Sequence, residues 1–153
     1  MDEILNWIGR TALSAAIRRS DWAVMALESV HLLGLVLLFG SATLFALAAF
    51  RSNGLRGLTL PVLTAQLRHL AAIGLLLMVI SGSLIAISIP QKYYLNGAFR
   101  AKMLLLLLAG SVTLWLVRAA AQRGATVAVR TLALLSWLLW LGVGVGGRLI
   151  GFL

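Results

Sequence analysis

Long apolar runs alternate with short polar segments along this chain, and the runs have bilayer length. Stretches over 22–50, 62–89, 99–120 and 129–150 are nearly continuous in apolar residues, and polar clusters separate them. About 20 residues of α-helix cross a hydrocarbon core of about 30 Å, so each stretch predicts one transmembrane span. The breaks carry their own chemistry. Arg51 to Gly57 contains glycines and arginines that cannot continue an apolar run, and Pro61 then suits a first helical turn. Pro90 ends the second span, Gln91 to Ala98 reads as a polar, tyrosine-bearing loop with an Asn96-Gly97 turn, and Gln122-Arg123-Gly124 forms the next loop. Ser20 offers an N-cap and Asp21 a favourable first-turn acid, which starts the first span at Trp22. Residues 1–19 differ from all of these. Ile4 with Ile8, and Leu13 with Ile17, recur at helical spacing among Asp2, Glu3, Arg10, Arg18 and Arg19. That segment is too short and too charged to span, and predicts an amphipathic helix lying in the interface.

The predicted fold is all-α: an integral membrane four-helix transmembrane bundle (20–153) behind an N-terminal interfacial amphipathic helix (1–19). Composition agrees, since 61% of residues are hydrophobic and 11% charged, against about a quarter charged in soluble domains. The mean hydropathy is +1.02, and four spans use up the 153 residues, so no second, soluble domain fits. The net charge of +9 comes from thirteen Lys and Arg placed singly at the ends of apolar runs. This is the membrane-flank pattern and excludes a nucleic-acid patch. The chain has no cysteine, which removes disulfides, thiolate metal sites, iron–sulfur clusters and covalent haem attachment. The first apolar run is longer than a signal-peptide core and follows Asp2 and Glu3, so no cleaved signal is expected.

Four spans put both termini on one side with the 91–98 loop, here called side A, and the loops 51–60 and 121–128 on side B. Lys102 and Arg148 lie inside apolar boundaries and are set aside as buried charges. Side B then carries Arg51, Arg56, Arg68, Arg118, Arg123 and Arg130, and side A carries Arg10, Arg18, Arg19, Lys92 and Arg100. The excess is small, and it points side B toward the cytoplasm.

Within this frame, a few ionisable residues need explaining. Glu28 and His31 sit one turn apart on one face of the first span. At about 1.5 Å per residue, Glu28 lies about six residues inward from side A, His31 about nine and Lys102 about three, with Arg148 just before its helix ends. These four occupy one membrane layer, and Tyr93, Tyr94 and Asn96 close over it. A charge in the bilayer costs about 2.5–3.5 kcal/mol on insertion scales, so the expected pairs are Glu28 with Arg148 or Lys102. One acid against two bases leaves a positive surplus suited to a carboxylate, a haem propionate or a phosphate. If Lys102 and Arg148 only snorkel to the interface, the surplus has no such role.

His69 invites a two-histidine haem site, but its depth does not match. It lies roughly 30 Å from side A, against roughly 13 Å for His31, and a tilt of about 20° cannot close that gap. His69 beside Arg68 is therefore expected at the side B interface. His31 would be the sole metal ligand, and only if haem is bound. In the last span, Gly142 with Gly146 and Gly147 with Gly151 permit close helix approach, bringing Arg148 toward the first span. Gly34, Gly40 and Ser41, and Gly74, Gly82 and Ser83, are packing candidates on the first two spans. Trp115, Trp137 and Trp140 lie inside apolar runs, either packing or walling a planar ligand.

Several short motifs in order resemble a family of small bacterial four-helix inner-membrane proteins classed only as a domain of unknown function. They are Ser20-Asp-Trp22, His31-Leu-Leu-Gly34 with Gly40, Gly82, Pro90, Tyr94-Leu-Asn96, Phe99-Arg-Ala-Lys102, Ser136-Trp137 and Gly147-Arg148-Leu-Ile150. The similarity covers nearly the whole chain. The chain departs from that pattern at Phe45–Phe50, which lacks the family's acid, and at Ser111, where an asparagine is usual. The resemblance implies a bacterial inner-membrane location and the side A residues as a shared pattern. More distantly, the chain is similar to the four-helix cores of b-type cytochromes and copper-resistance membrane proteins.

The leading functional expectation is a small redox-associated membrane subunit with a side A pocket for haem b or a quinone. Its cofactor-binding residues would be His31, Glu28, Lys102, Arg148, Tyr94 and Asn96, and its partner a membrane or periplasmic redox protein or a second copy of the chain. The alternative is a non-enzymatic assembly partner, small transporter or proton relay using the same polar layer.

Overall fold

The computed structural model describes residues 2–51 and 58–150. The expected loop Arg51 to Gly57 falls, apart from Arg51, outside the described residues, as does Gly151. Among the described residues the chain is helical throughout its ordered elements: α1 (Asp2–Gly9), α2 (Ala12–Arg19), α3 (Asp21–Phe50), α4 (Leu60–Ser88), α5 (Pro90–Leu95), α6 (Gly97–Arg123) and α7 (Val127–Leu149). Four of these, α3, α4, α6 and α7, are long and apolar enough to cross a membrane.

Side-chain caps set the starts of α3, α6 and α7, and these starts lie one or two residues before the apolar runs. The Ser20 hydroxyl accepts from Ala23 N at 3.3 Å, starting α3 at Asp21. Asn96 accepts from Ala98 N and Phe99 N, and Thr126 from Val129 N, so α6 and α7 each begin two residues before their predicted spans. Gly124, at φ +62°, ends α6 only after the polar residues Gln122 and Arg123 have joined it. The stretch 91–98, expected as a loop, instead holds α5 and the start of α6. Pro90 cannot donate a hydrogen bond to α4, yet its fixed φ suits the first position of a new helix.

The expected helix over 1–19 is two helices within the described residues 2–19. Thr11 caps α2 by accepting from Ser14 N and donates to Ile8 O, breaking the helix after Gly9. Ile4, Trp7 and Leu13 are exposed, while Ser14 and Ile17 are buried against the bundle. Ser14 is fully buried, with Oγ at 2.9 Å from the Ile87 carbonyl and 3.2 Å from that of Ser88. Arg18 donates to Ser14 Oγ, Ser88 O and Gly9 O. It thereby satisfies the last carbonyls of α4, which no residue of that helix can reach. Arg130 does the same for α3 through Ala49 O at 3.1 Å.

In the bundle α3 packs along α4 and against α7, and α6 packs along α7. The α3–α4 crossing is a backbone contact: a methyl group at Gly34 would stand 2.7 Å from Gly74 O, and one at Gly74 2.7 Å from Gly34 O. Apolar core fills side B, where Phe45, Ala49, Leu63, Leu116 and Val129 meet, and the middle, where Leu38, Met78, Ala109, Trp140 and Val143 meet. Between these layers the indole nitrogens find hydroxyl partners. Trp137 donates to Thr43 and Trp140 to Thr113, both at 3.0 Å. Trp137 and Trp140 are thus packing residues, whereas Trp115 faces outward at 64% exposure.

Candidate functional site

The side A third of the bundle has polar chemistry where the lower layers have core. His31 on α3 points at α4, and its ring occupies the space left by a missing side chain at Gly82, where a methyl group would lie 2.9 Å from Cε1. Its Nδ1 is 3.1 Å from Ser81 Oγ, and Ser81 donates in turn to Leu77 O at 2.5 Å. That donation turns a Ser81 lone pair toward the imidazole. Nδ1 therefore carries the proton and donates to Ser81, and Nε2 keeps its lone pair. Lys102 Nζ on α6 supplies the donor for Nε2 at 3.4 Å. The fourth helix makes room: a methyl group at Gly147 would lie 3.0 Å from Lys102 Nζ, and Gly146 packs against the Lys102 stem.

The chain of donors therefore runs from Lys102 to His31 to Ser81 to a backbone carbonyl, where it stops. Such a chain fixes the ring. The Lys102 contact is at the long end of hydrogen bonding, and an ammonium has three donors. Lys102 can redirect toward an added acceptor at little cost. One turn toward side A on the same face of α6, Phe99 packs against Tyr93, with ring centroids 5.6 Å apart.

Residues 4–153 match a family of unknown function, DUF6644. The chain belongs to that family. No curated protein and no solved structure matches it.

In this family member, the residues singled out by sequence separate. His31 and Lys102 meet. Lys102 pairs with His31 rather than with Glu28, which lies exposed on α3, close enough to Tyr93 for its charge to be felt there. Burial, and after it the Glu28 charge, holds the Tyr93 hydroxyl above the usual tyrosine range. Glu28→Gln should therefore bring Tyr93 ionisation down in a near-ultraviolet pH titration; no movement would place the two groups apart. Tyr94 is exposed at 42%, and Asn96 spends its side-chain oxygen capping α6. Arg148 sits exposed in the last turn of α7. The adjacent Gly147 lies against the Lys102 side chain.

His69 bonds its neighbour Arg68 on an exposed surface, 12 residues and about 18 Å along α4 from Ser81. Among the described residues no three His, Asp or Glu side chains gather to hold a metal. Sequence reasoning missed Ser81 and took Gly82 and Gly147 as packing residues only. Their signal is faint, small residues at the depth of a histidine and a lysine on other helices.

Proposed function

We propose that the chain is a small membrane redox subunit in which Lys102, oriented by His31, binds the carbonyl oxygen of a quinone headgroup. The observation that supports it is the long Lys102–His31 contact, with donors to spare, one turn below an aromatic pair able to cover a planar ring. His31 holds the ammonium in place while Ser81 holds His31. Glu28, Tyr94, Asn96 and Arg148 belong to the same end of the bundle, and the headgroup contact is assigned to Lys102. The setting we infer is a bacterial inner membrane, with side A and the termini periplasmic. The small arginine excess on side B supports that orientation.

Protein in mild detergent, titrated with a short-chain ubiquinone analogue, tests the reading by the change in tyrosine and tryptophan fluorescence. Lys102→Met should weaken binding by about 10- to 100-fold, the span of one hydrogen bond to a charged group. Equal affinity in wild type and variant would sink the proposal.

One observation favours a second reading, haem b on His31. A hydrogen bond from Nδ1 is how proteins orient metal-bound histidines, and Ser81 provides it. Nε2 faces Lys102, however, so the lysine would have to swing aside and hold a propionate. No Soret band in the visible spectrum, with or without added haem, removes this reading. A band that survives His31→Ala removes the ligand assignment.

A further inference from the structure

On side B the ends of α6 and α7 enclose a groove of about 520 Å³ that the apolar core leaves unfilled. The tight turn through Gly124 brings the first turn of α7 back beside the last turns of α6, and the groove lies between them. It is lined by Arg118 and Arg123 together with Trp115, Ala119 and Leu132. Both guanidiniums are exposed, and neither has a hydrogen bond or ion pair among the described residues. The protein offers them no acid nearby, because its four acidic residues, Asp2, Glu3, Asp21 and Glu28, all lie on side A.

The vertical arrangement narrows the ligand. Trp115 is three residues below Arg118 and eight below Arg123 on α6, so the apolar wall reaches about 12 Å below the upper guanidinium. A free phosphate would satisfy the arginines and leave that wall bare. A phospholipid matches both parts, since its phosphate accepts from the arginines as its acyl chain runs down over an indole and a leucine. Among the described residues the exposed Trp115 has no polar or aromatic partner.

We propose that this groove binds one anionic phospholipid, with the phosphate on Arg118 and Arg123 and the upper acyl chain along Trp115 and Leu132. The site is independent of the His31–Lys102 pair, which opens toward the opposite surface. Its charge favours lipids whose headgroup adds no cation of its own.

Native mass spectrometry of the full chain in detergent, titrated with dioleoyl phosphatidylglycerol or dioleoyl phosphatidylcholine, tests it. The glycerol lipid should bind about twenty-five-fold more tightly, from two basic residues contributing about fivefold each. Arg118→Gln with Arg123→Gln should bring the two lipids level, whereas Arg51→Gln with Arg68→Gln, on side B outside the groove, should leave the preference intact. Ala119→Phe fills the groove without altering charge and should also abolish tight binding. A preference that survives in the groove variants, or is lost equally in the control pair, overturns the proposal. So does displacement of the lipid by inorganic phosphate at matched ionic strength, which would make the site one for phosphate alone.

Discussion

Gly34→Ala is expected to destabilise the bundle by about 2–3 kcal/mol, the upper part of the usual range for overpacking a well-filled interface. The added methyl group meets Gly74 O at 2.7 Å and Met78 N at 2.9 Å. Both are backbone atoms of a helix, and neither can rotate away as a side-chain tip could. The helices α3 and α4 must therefore part along their crossing, which loosens the packing on either side of it. Gly74→Ala meets Gly34 O in the same way. Because one separation relieves both clashes, the double variant should cost well under the sum of the single ones. Gly40 supplies the control on the same helix: nothing lies within 4 Å of a methyl group there. Gly40→Ala should be neutral or slightly stabilising, since alanine has the higher helix propensity. Unfolding in denaturing detergent, followed by circular dichroism, reads all four variants. If Gly34→Ala unfolds like Gly40→Ala, the two backbones are not in contact.

Gly82→Ala should do little to the helix that carries it and much to the site. Its methyl group would sit 2.9 Å from His31 Cε1 and 3.3 Å from Nδ1, so the imidazole must turn or retreat toward α6. Either movement disturbs the Ser81 contact that sets the tautomer and the Lys102 contact at Nε2. If the quinone reading holds, affinity for the ubiquinone analogue falls about tenfold, by loss of about one well-placed hydrogen bond. Nitrogen NMR of labelled His31 gives a readout that does not depend on any ligand. Wild type should show a single tautomer with the proton on Nδ1, and both Gly82→Ala and Ser81→Ala should shift toward a mixture. A wild-type ring protonated on Nε2 would contradict the hydrogen-bond chain inferred from Ser81.

Much of this architecture was legible in the run lengths. Continuous apolar stretches predict the spans because a bilayer imposes their minimum length, and their count and positions match the four long helices. The four starts and the end of α6 lie one to three residues beyond the expected spans, whereas α3 ends at Phe50 as expected and α4 and α7 each stop one residue short, because local caps and not hydropathy alone decide where a helix begins and stops. The N-terminal segment was read from its apolar spacing, which is present. That spacing could not reveal the break at Thr11 or the burial of Ser14, since both depend on carbonyls at the far end of α4. Pro90 misled in a similar way: it ends one helix and begins another.

The site was legible by depth and illegible by direction. Counting residues placed His31, Lys102, Glu28 and Arg148 in one layer, and it kept His69 away from that layer. Which of the four would touch could not be counted. In a soluble helix the apolar stripe marks the inner face, but α3, α4, α6 and α7 are apolar on nearly every side because lipid surrounds them. The inner face is marked instead by small residues such as Gly34, Ser81, Gly82 and Gly147, and smallness alone does not say which neighbour fills the gap.

The sequence by itself determined that the chain crosses a membrane four times, where each crossing lies, and how deep its ionisable groups sit. Hydrophobic transfer and helical rise are local, additive properties, readable from one strand of letters. Only the tertiary structure decided that Lys102 meets His31, that Ser81 sets the proton on the ring, and that glycines on two other helices make the room. Those choices depend on how four lipid-facing helices rotate about their own axes, and close packing of small residues, rather than any pattern of polarity, fixes that rotation.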